Sequence, residues 1–265
     1  MLVSITHETA YRFGAPVHYA LQKVRLIPRD TPQQRVLDWT VSIENGTREV
    51  GYFDHHGNVT ELISTDDAAT SLTVAVKGRV ETSDTSGVLG HEKSAMPVWL
   101  YRRQTELTEP GENISGLAES LRGATDQLAS LHSLSESIRS AVAYGTGSTY
   151  ADTKAEEAMV GGKGVCQDHS HIFISAARAA DIPARYISGY LLMDDRIHQD
   201  ATHAWAEAYV ENLGWVGFDV SNGYSPDERY VRVAVGADYL DAAPISGLRQ
   251  GMGDESMIVS LQVQQ

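Results

Sequence analysis

Alternating polar and apolar residues dominate the first third of this chain. The run VLDWTVSI at residues 36–43 sets Leu, Trp, Val and Ile against Asp, Thr and Ser. A period of two is typical of a half-buried β-strand. Similar runs cover residues 7–20, 51–64 and 71–82, and Gly57-Asn58 marks a turn inside one of them. Short strands at near-regular spacing predict an antiparallel β-sandwich over residues 1–82.

The pattern changes after residue 82. Residues 83–114 contain two prolines and predict a linker. From residue 115 apolar residues recur three and four apart, and Gly123 separates two predicted helices. Two more helices follow. Thr153 and Glu156 form a predicted capping box at the start of the first of them.

Strands are predicted at 184–193, 203–210 and 214–220, with a closing strand in the last residues of the chain. The region from residue 115 to residue 265 is therefore expected to fold as one core of helices packed against an antiparallel sheet. The predicted fold class is α+β, with the N-terminal β-sandwich followed by this core.

Charge and hydropathy exclude several kinds of partner. The chain has 21 basic and 35 acidic side chains, for a net charge of −14, whereas nucleic-acid binding needs clustered Lys and Arg. No segment approaches the ~20 apolar residues that span a bilayer. The N-terminus lacks the basic and apolar regions of a signal peptide. We expect a cytoplasmic location and neither a nucleic-acid nor a membrane partner, while the oligomeric state is undetermined.

A single cysteine, Cys166, is present among 265 residues. This count excludes an intramolecular disulfide and a cysteine-cluster zinc site. Cys166 follows GGKGV at the start of a predicted helix, where glycines allow a sharp turn. The positive end of the helix dipole favours a thiolate, and the free N–H groups can hold an oxyanion. The local sequence therefore predicts a nucleophile, although a lone cysteine is more often a buried apolar residue.

His203 and Asp219 lie on two strands that form a predicted hairpin. If the loop runs from Val210 to Gly214, His203 and Asp219 become diagonal neighbours on one face, within side-chain reach. A loop one residue shorter would place them on opposite faces. The sequence leaves both registers open. In the second case the partner of His203 would have to be Asp200, Glu207 or Asn222.

Three ordered segments of the chain resemble a known family. GKGVCQDHSH, IPARYISGYL and HAWAEAYVENLGWVGFDVSNG are similar to the core of transglutaminase-like proteins, which has a papain-like arrangement. The strand-rich start and the tail GADYLDAAPISGLRQGMGDESMIV resemble bacterial transglutaminase-like cysteine peptidases. The resemblance implies Cys166 as nucleophile, His203 as general base and Asp219 as third member. FDVSNG departs from the proline and threonine that more often follow the Asp, which affects only the loop after Asp219.

The resemblance also implies a reaction. It is thiol-dependent acyl transfer at a carboxamide of a peptide or protein, without a cofactor. Transfer to water would make the protein a peptidase or amidase, and transfer to an amine would make it a transglutaminase. The alternative from another class is a non-catalytic peptide-binding or scaffolding module that uses the same cleft.

The other polar and aromatic residues have weaker functional interpretations. His55 and His56 flank a turn, and His169 and His171 are two apart on a helix, so no metal site is predicted. Asp168 complements the helix dipole, holds the Cys166 loop or binds a substrate amine. We expect His171 to be a structural hydrogen-bond partner or part of the site wall. Trp205 and Trp215 are expected to pack in the core or form a cleft wall, and Tyr150 to assist the oxyanion site.

Overall fold

The computed structural model describes residues 1–92, 96–251 and 253–265. The strands are β1 Leu2–Val17, β2 Tyr19–Ile27, β3 Gln34–Glu44, β4 Gly46–Phe53, β5 Val59–Thr65, β6 Ala69–Thr82, β7 Val88–Gly90, β8 Ala143–Tyr144, β9 Lys163–Gly164, β10 Ala184–Leu191, β11 His198–Gln199, β12 His203–Val210, β13 Gly214–Phe218, β14 Tyr230–Gly236, β15 Ile245–Gln250 and β16 Glu255–Gln264. The helices are α1 Glu112–Glu119, α2 Gln127–Ala141, α3 Ala155–Gly161, α4 Cys166–Ala179 and α5 Tyr239–Ala242, with 3₁₀ turns at Val98–Arg102 and Glu106–Thr108.

The N-terminal strands form two facing sheets. One has the order β11-β16-β1-β6-β3 and the other β15-β2-β5-β4. Alternate residues of both sheets, including Phe13, Val24, Ile63 and Val74, point inward and make a shared apolar layer. The period of two in the sequence therefore produces the sandwich, because it gives each sheet one apolar face.

The core consists of the antiparallel sheet β14-β10-β12-β13-β7 covered by helices. Helix α4 contributes Phe173 and other buried residues to an apolar cluster with Ala204, Ala206 and Ala208 of β12. Small side chains on β12 let the helix approach the strand closely. The predicted α+β fold class is confirmed. None of the helices in the described residues is long and apolar enough to cross a membrane.

The predicted domain boundaries need correction. Strands β15 and β16, assigned to the core within 115–265, pair with β2 and β1 of the sandwich. Strand β7 comes from the predicted linker 83–114, yet it pairs with β13 of the core sheet. The physical reason is burial, because Leu261 and Val263 of β16 fill a cluster at the sandwich. Residues 93–95 of the predicted linker and Met252 of the tail lie outside the described residues.

The predicted capping box at α3 is also wrong. Thr153 Oγ1 accepts the N–H of Tyr150, while the box residue Glu156 accepts N–H groups at the start of α1. Helix α3 begins one residue later than predicted, and the Glu157 carboxylate accepts the N–H of Lys154 there. Glu156 therefore joins two helices instead of capping its own.

Candidate active site

Cys166 is the first residue of α4 and lines a cleft, as the sequence predicts. Gly162 ends α3 with φ +64°, a conformation that glycine adopts without strain. Gly164 serves a different purpose, because a Cβ there would lie 2.7 Å from the Cβ of Asp168. The glycines thus turn the chain and bring the loop against the helix, and the half-buried Cys166 sits at their junction.

Asp168 holds the loop that precedes Cys166. Its Oδ2 accepts the N–H of Val165 at 2.7 Å and the hydroxyl of Thr149 at 2.7 Å, and the residue is buried. Of the roles expected of Asp168, these two hydrogen bonds show that it holds the loop.

The N–H groups of Cys166 and Gln167 lie in the first turn of α4, where a helix offers them no internal partner. They are suited to hold an oxyanion beside the sulfur.

The β12–β13 hairpin brings His203 to Asp219. Tyr209 pairs with Trp215 and Val210 with Gly214, which is the register that places both residues on one face. His203 Nε2 lies 2.6 Å from Asp219 Oδ2. Because Nε2 is bound to the carboxylate, Nδ1 is the ring nitrogen left to interact with the Cys166 side chain, which helps to raise the pKa of His203. The structure therefore brings the three predicted residues together in the order Cys, His, Asp.

Two further donors converge on Asp219. The hydroxyl of Tyr230 donates to Oδ2 at 2.6 Å, and the Asn222 amide donates to the same oxygen at 2.7 Å. Burial alone would raise the pKa of Asp219, but hydrogen bonds and the nearby His203 lower it. Asp219 is therefore the buried carboxylate that orients His203. Of the alternative partners, Asn222 assists Asp219 and Glu207 pairs with arginines elsewhere.

The environment of His203 favours its charged form. Burial alone would lower the pKa of His203. The Asp219 carboxylate and the Cys166 side chain outweigh burial and raise this pKa from 6.5 to about 10. At neutral pH the imidazolium therefore carries protons on both ring nitrogens. A thiolate at Cys166 can pair with Nδ1–H, as a nucleophile and its proton donor must.

Two cavities flank His203. One, of about 370 Å³, includes Cys166, and the other, of about 450 Å³, includes Asn222. Besides His203, the two cavities share three lining residues, Tyr144, Met193 and Arg196. Asp200, one of the alternative partners of His203, lines the first cavity. Tyr150, expected at the oxyanion site, is 79% exposed, and Tyr144 takes the place at the cavity wall instead.

The two tryptophans belong to the interior. Trp205 packs in a buried cluster and stacks on the His203 ring at 6.3 Å between centroids. The Arg185 guanidinium lies 3.8 Å above the Trp215 ring. Arg185 also forms a buried ion pair with Glu207 at 2.6 Å. This ion pair, which sequence reasoning missed, joins β10 to β12, the strand that also carries His203.

The histidines near Cys166 are structural. The His169 Nε2–H donates to the Val142 carbonyl at 2.9 Å, so Nδ1 accepts the hydroxyl of Ser221 at 2.8 Å. His171 Nε2 accepts the N–H of Tyr239 at 3.1 Å, as expected of a structural partner. Burial lowers the pKa of both rings, for His171 to about 3. A lowered pKa makes both rings weak bases, and one or both nitrogens of each ring are already engaged with the protein.

Tyr230, Tyr144 and Arg196 were missed by sequence reasoning. Tyr230 begins β14, which neighbours β10 and not the hairpin of His203. Arg196 lies between β10 and β12, in a segment without periodicity. No local signal marks any of the three, because each reaches the site through a contact between distant elements.

Two family models match the chain. Residues 115–220 match the transglutaminase-like superfamily, and residues 3–81 match the bacterial transglutaminase-like N-terminal region. A candidate cysteine protease from Cytophaga hutchinsonii, of known structure, has a TM-score of 0.78 at 21% identity and covers 100% of this chain and 90% of its own. That likeness shows a shared fold.

Sequence relatives extend over the whole chain. An uncharacterized protein of Mycobacterium leprae is 27% identical over 98% of this chain and 97% of its own length. An uncharacterized protein of Mycobacterium tuberculosis is 29% identical over 96% of this chain and 89% of its own length. A protein-glutamine gamma-glutamyltransferase of Pseudomonas aeruginosa is 33% identical over 101 residues, which is 32% of this chain and 14% of that enzyme.

Proposed function

Because this chain joins a bacterial transglutaminase-like N-terminal region to a core of the transglutaminase-like superfamily, we propose that it catalyses thiol-dependent acyl transfer at a carboxamide. The observation that carries the proposal is the placement of His203, which Asp219 holds through Nε2 at 2.6 Å and which lines one cavity together with Cys166. Cys166 is the nucleophile, His203 the general acid and base, and Asp219 the orienting residue.

Acylation begins with attack of the Cys166 thiolate on the amide carbonyl. The oxyanion that forms is stabilised by the Cys166 N–H at the start of α4. The carbon–nitrogen bond then breaks, and His203 Nδ1–H gives its proton to the departing amine. An acyl thioester remains on Cys166, and the neutral imidazole keeps its Nε2–H on Asp219.

Deacylation uses the same groups in reverse. His203 Nδ1 takes a proton from the acceptor as it attacks the thioester, and the thiolate leaves with the imidazolium restored. Water as acceptor gives a peptidase or amidase, the outcome that we propose. An amine would give transamidation, and the similarity to the Pseudomonas aeruginosa gamma-glutamyltransferase keeps this as the second candidate.

The cavities on both sides of His203 favour a peptide or protein substrate. A scissile amide placed at Cys166 would leave one part of the substrate in each cavity. This arrangement suits an extended chain that passes the nucleophile. The cytoplasmic location inferred from the sequence, and the lack of nucleic-acid and membrane partners, remain predictions.

Trapping the acyl group on Cys166 tests the proposal. The full chain and its Cys166→Ala variant are incubated with peptides from a cell extract, quenched in acid and digested. Mass spectrometry should find an acylated Cys166 peptide in the wild type. Turnover should disappear in the alanine variant, and Asp219→Asn should lose ~10²–10⁴-fold in rate. Adding water labelled with ¹⁸O or a fluorescent primary amine then identifies the acceptor.

The non-catalytic alternative makes a different prediction. A peptide-binding module would carry no acyl group on Cys166, and iodoacetamide would alkylate its thiol as slowly as it alkylates glutathione at the same pH. Both results together would contradict the proposed function.

A further inference from the structure

A cluster of two histidines and an aspartate lies away from Cys166. Ligand atoms of His55, His56 and Asp241 all lie within 4.8 Å of one another. The histidines come from the turn between β4 and β5 of the sandwich, and Asp241 comes from α5. We propose that this cluster is a binding site for a divalent transition-metal ion of the zinc class, which would join the sandwich to the core.

The distances suit such an ion. His56 Nε2 lies 3.1 Å from Asp241 Oδ2. In tetrahedral geometry, two ligands that each bind zinc at about 2.0–2.2 Å stand roughly 3.3–3.6 Å apart, so a small widening of this pair gives the spacing that one ion requires. The His55 ring lies beside His56, with centroids 4.2 Å apart and the ring planes tilted by 41°. Since His55 is exposed, its ring can turn toward the ion at little cost.

Tyr101 provides the outer partner that a metal-bound histidine needs. Its hydroxyl lies 2.8 Å from His56 Nδ1. With an ion on Nε2, the one proton of the neutral imidazole moves to Nδ1 and is donated to the Tyr101 oxygen. A ligating histidine usually makes such a bond through its other nitrogen.

The turn that carries the histidines is held in place before any ion arrives. Asp54 Oδ1 accepts the N–H groups of His56 at 3.0 Å and Asn58 at 2.9 Å. The Asn58 side chain exchanges two hydrogen bonds with the backbone of Val235 on β14. Two of the three ligands therefore sit on a backbone already fixed against the core.

The ligand set also selects the ion. Two imidazoles and one carboxylate favour zinc-class ions, whereas Ca²⁺ and Mg²⁺ prefer oxygen ligands.

Zinc binding to the full chain tests this proposal. The measurements are made in a Cys166→Ala background, because a thiolate beside an imidazole also attracts zinc. Calorimetry and thermal unfolding should show one zinc ion bound per chain and a higher melting temperature, with no effect of Mg²⁺. His55→Ala and Asp241→Asn should each weaken zinc binding by on the order of 10-fold or more.

His18→Ala is the matched control. His18 also pairs with an aspartate, Asp67, at 2.8 Å, but both side chains are exposed. Its replacement should leave zinc affinity unchanged. The proposal is overturned if the Cys166→Ala chain binds no zinc, or if it binds zinc equally well after His55→Ala and Asp241→Asn. Neither result would bear on acyl transfer at Cys166.

Discussion

The charge of His203 results from two opposing effects on one buried ring. Burial disfavours the imidazolium, and the Asp219 carboxylate at 2.6 Å favours it by more. Asp219 keeps its own charge because Tyr230 and Asn222 also donate to it. In the proposed mechanism, the proton that His203 gives to the leaving amine is therefore maintained by Asp219, Tyr230 and Asn222.

Removing the carboxylate should reverse that balance. In Asp219→Asn the Cys166 side chain is the main group left to raise the pKa of His203 against burial, so we expect that pKa to fall well below about 10. NMR titration of the protein with isotope-labelled histidine rings measures the pKa of His203 directly, and the His203→Gln variant assigns its signal. Asp200→Asn removes an exposed carboxylate of the cavity and should leave the pKa of His203 unchanged. An unchanged His203 titration in Asp219→Asn would contradict the assignment of Asp219.

At the scale of elements, helix α1 depends on a residue from α3. Glu156 accepts the N–H groups of Gly111, Asn113 and Ile114 at 3.1, 2.9 and 3.1 Å. These groups have no partner within α1, and a carboxylate also complements the positive end of the helix dipole. Burial alone would raise the pKa of Glu156, but these hydrogen bonds outweigh burial and lower the pKa.

Glu156→Ala should therefore destabilise the protein. Loss of a helix cap costs about 1–2 kcal/mol in the free energy of unfolding, which urea denaturation can measure. Glu136→Ala, at an exposed position of α2, is the control and should change the free energy by less than about 0.5 kcal/mol. Equal effects of the two substitutions would show that Glu156 does not stabilise α1.

At the scale of the whole molecule, the sandwich and the core share interior residues. Val3 and Val80 of the sandwich pack in one buried cluster with Tyr190 and Val231 of the core. The chain also returns at its end to add β15 and β16 to the two sandwich sheets. The two parts consequently stabilise each other.

A fragment of residues 115–265 should not fold by itself. It would expose Tyr190 and Val231 and leave β15 and β16 without their partner strands, and unpaired strand edges promote aggregation. We expect aggregation in size-exclusion chromatography and no cooperative thermal transition by circular dichroism. Adding residues 1–114 as a separate chain should restore folding. A monomeric fragment with a sharp transition would show that the core is independent.

The sequence alone determined the features that depend on neighbours in the chain. The period of two specified the sandwich strands, and glycines before Cys166 specified the helix start. The hairpin between β12 and β13 limited His203 and Asp219 to two registers, of which the fold adopts the one with a shared face. Such features are predictable because strand period, turn and helix start are local properties.

Tertiary structure decided the features that join distant positions. Tyr230 reaches Asp219 from β14, Glu156 caps α1 from α3, and His56 meets Asp241 across 185 positions. The last strands join the sandwich sheets, where Leu261 and Val263 of β16 are buried in the cluster shared by the sandwich and the core. No period or motif encodes these contacts, since each depends on how whole elements pack to bury their apolar faces.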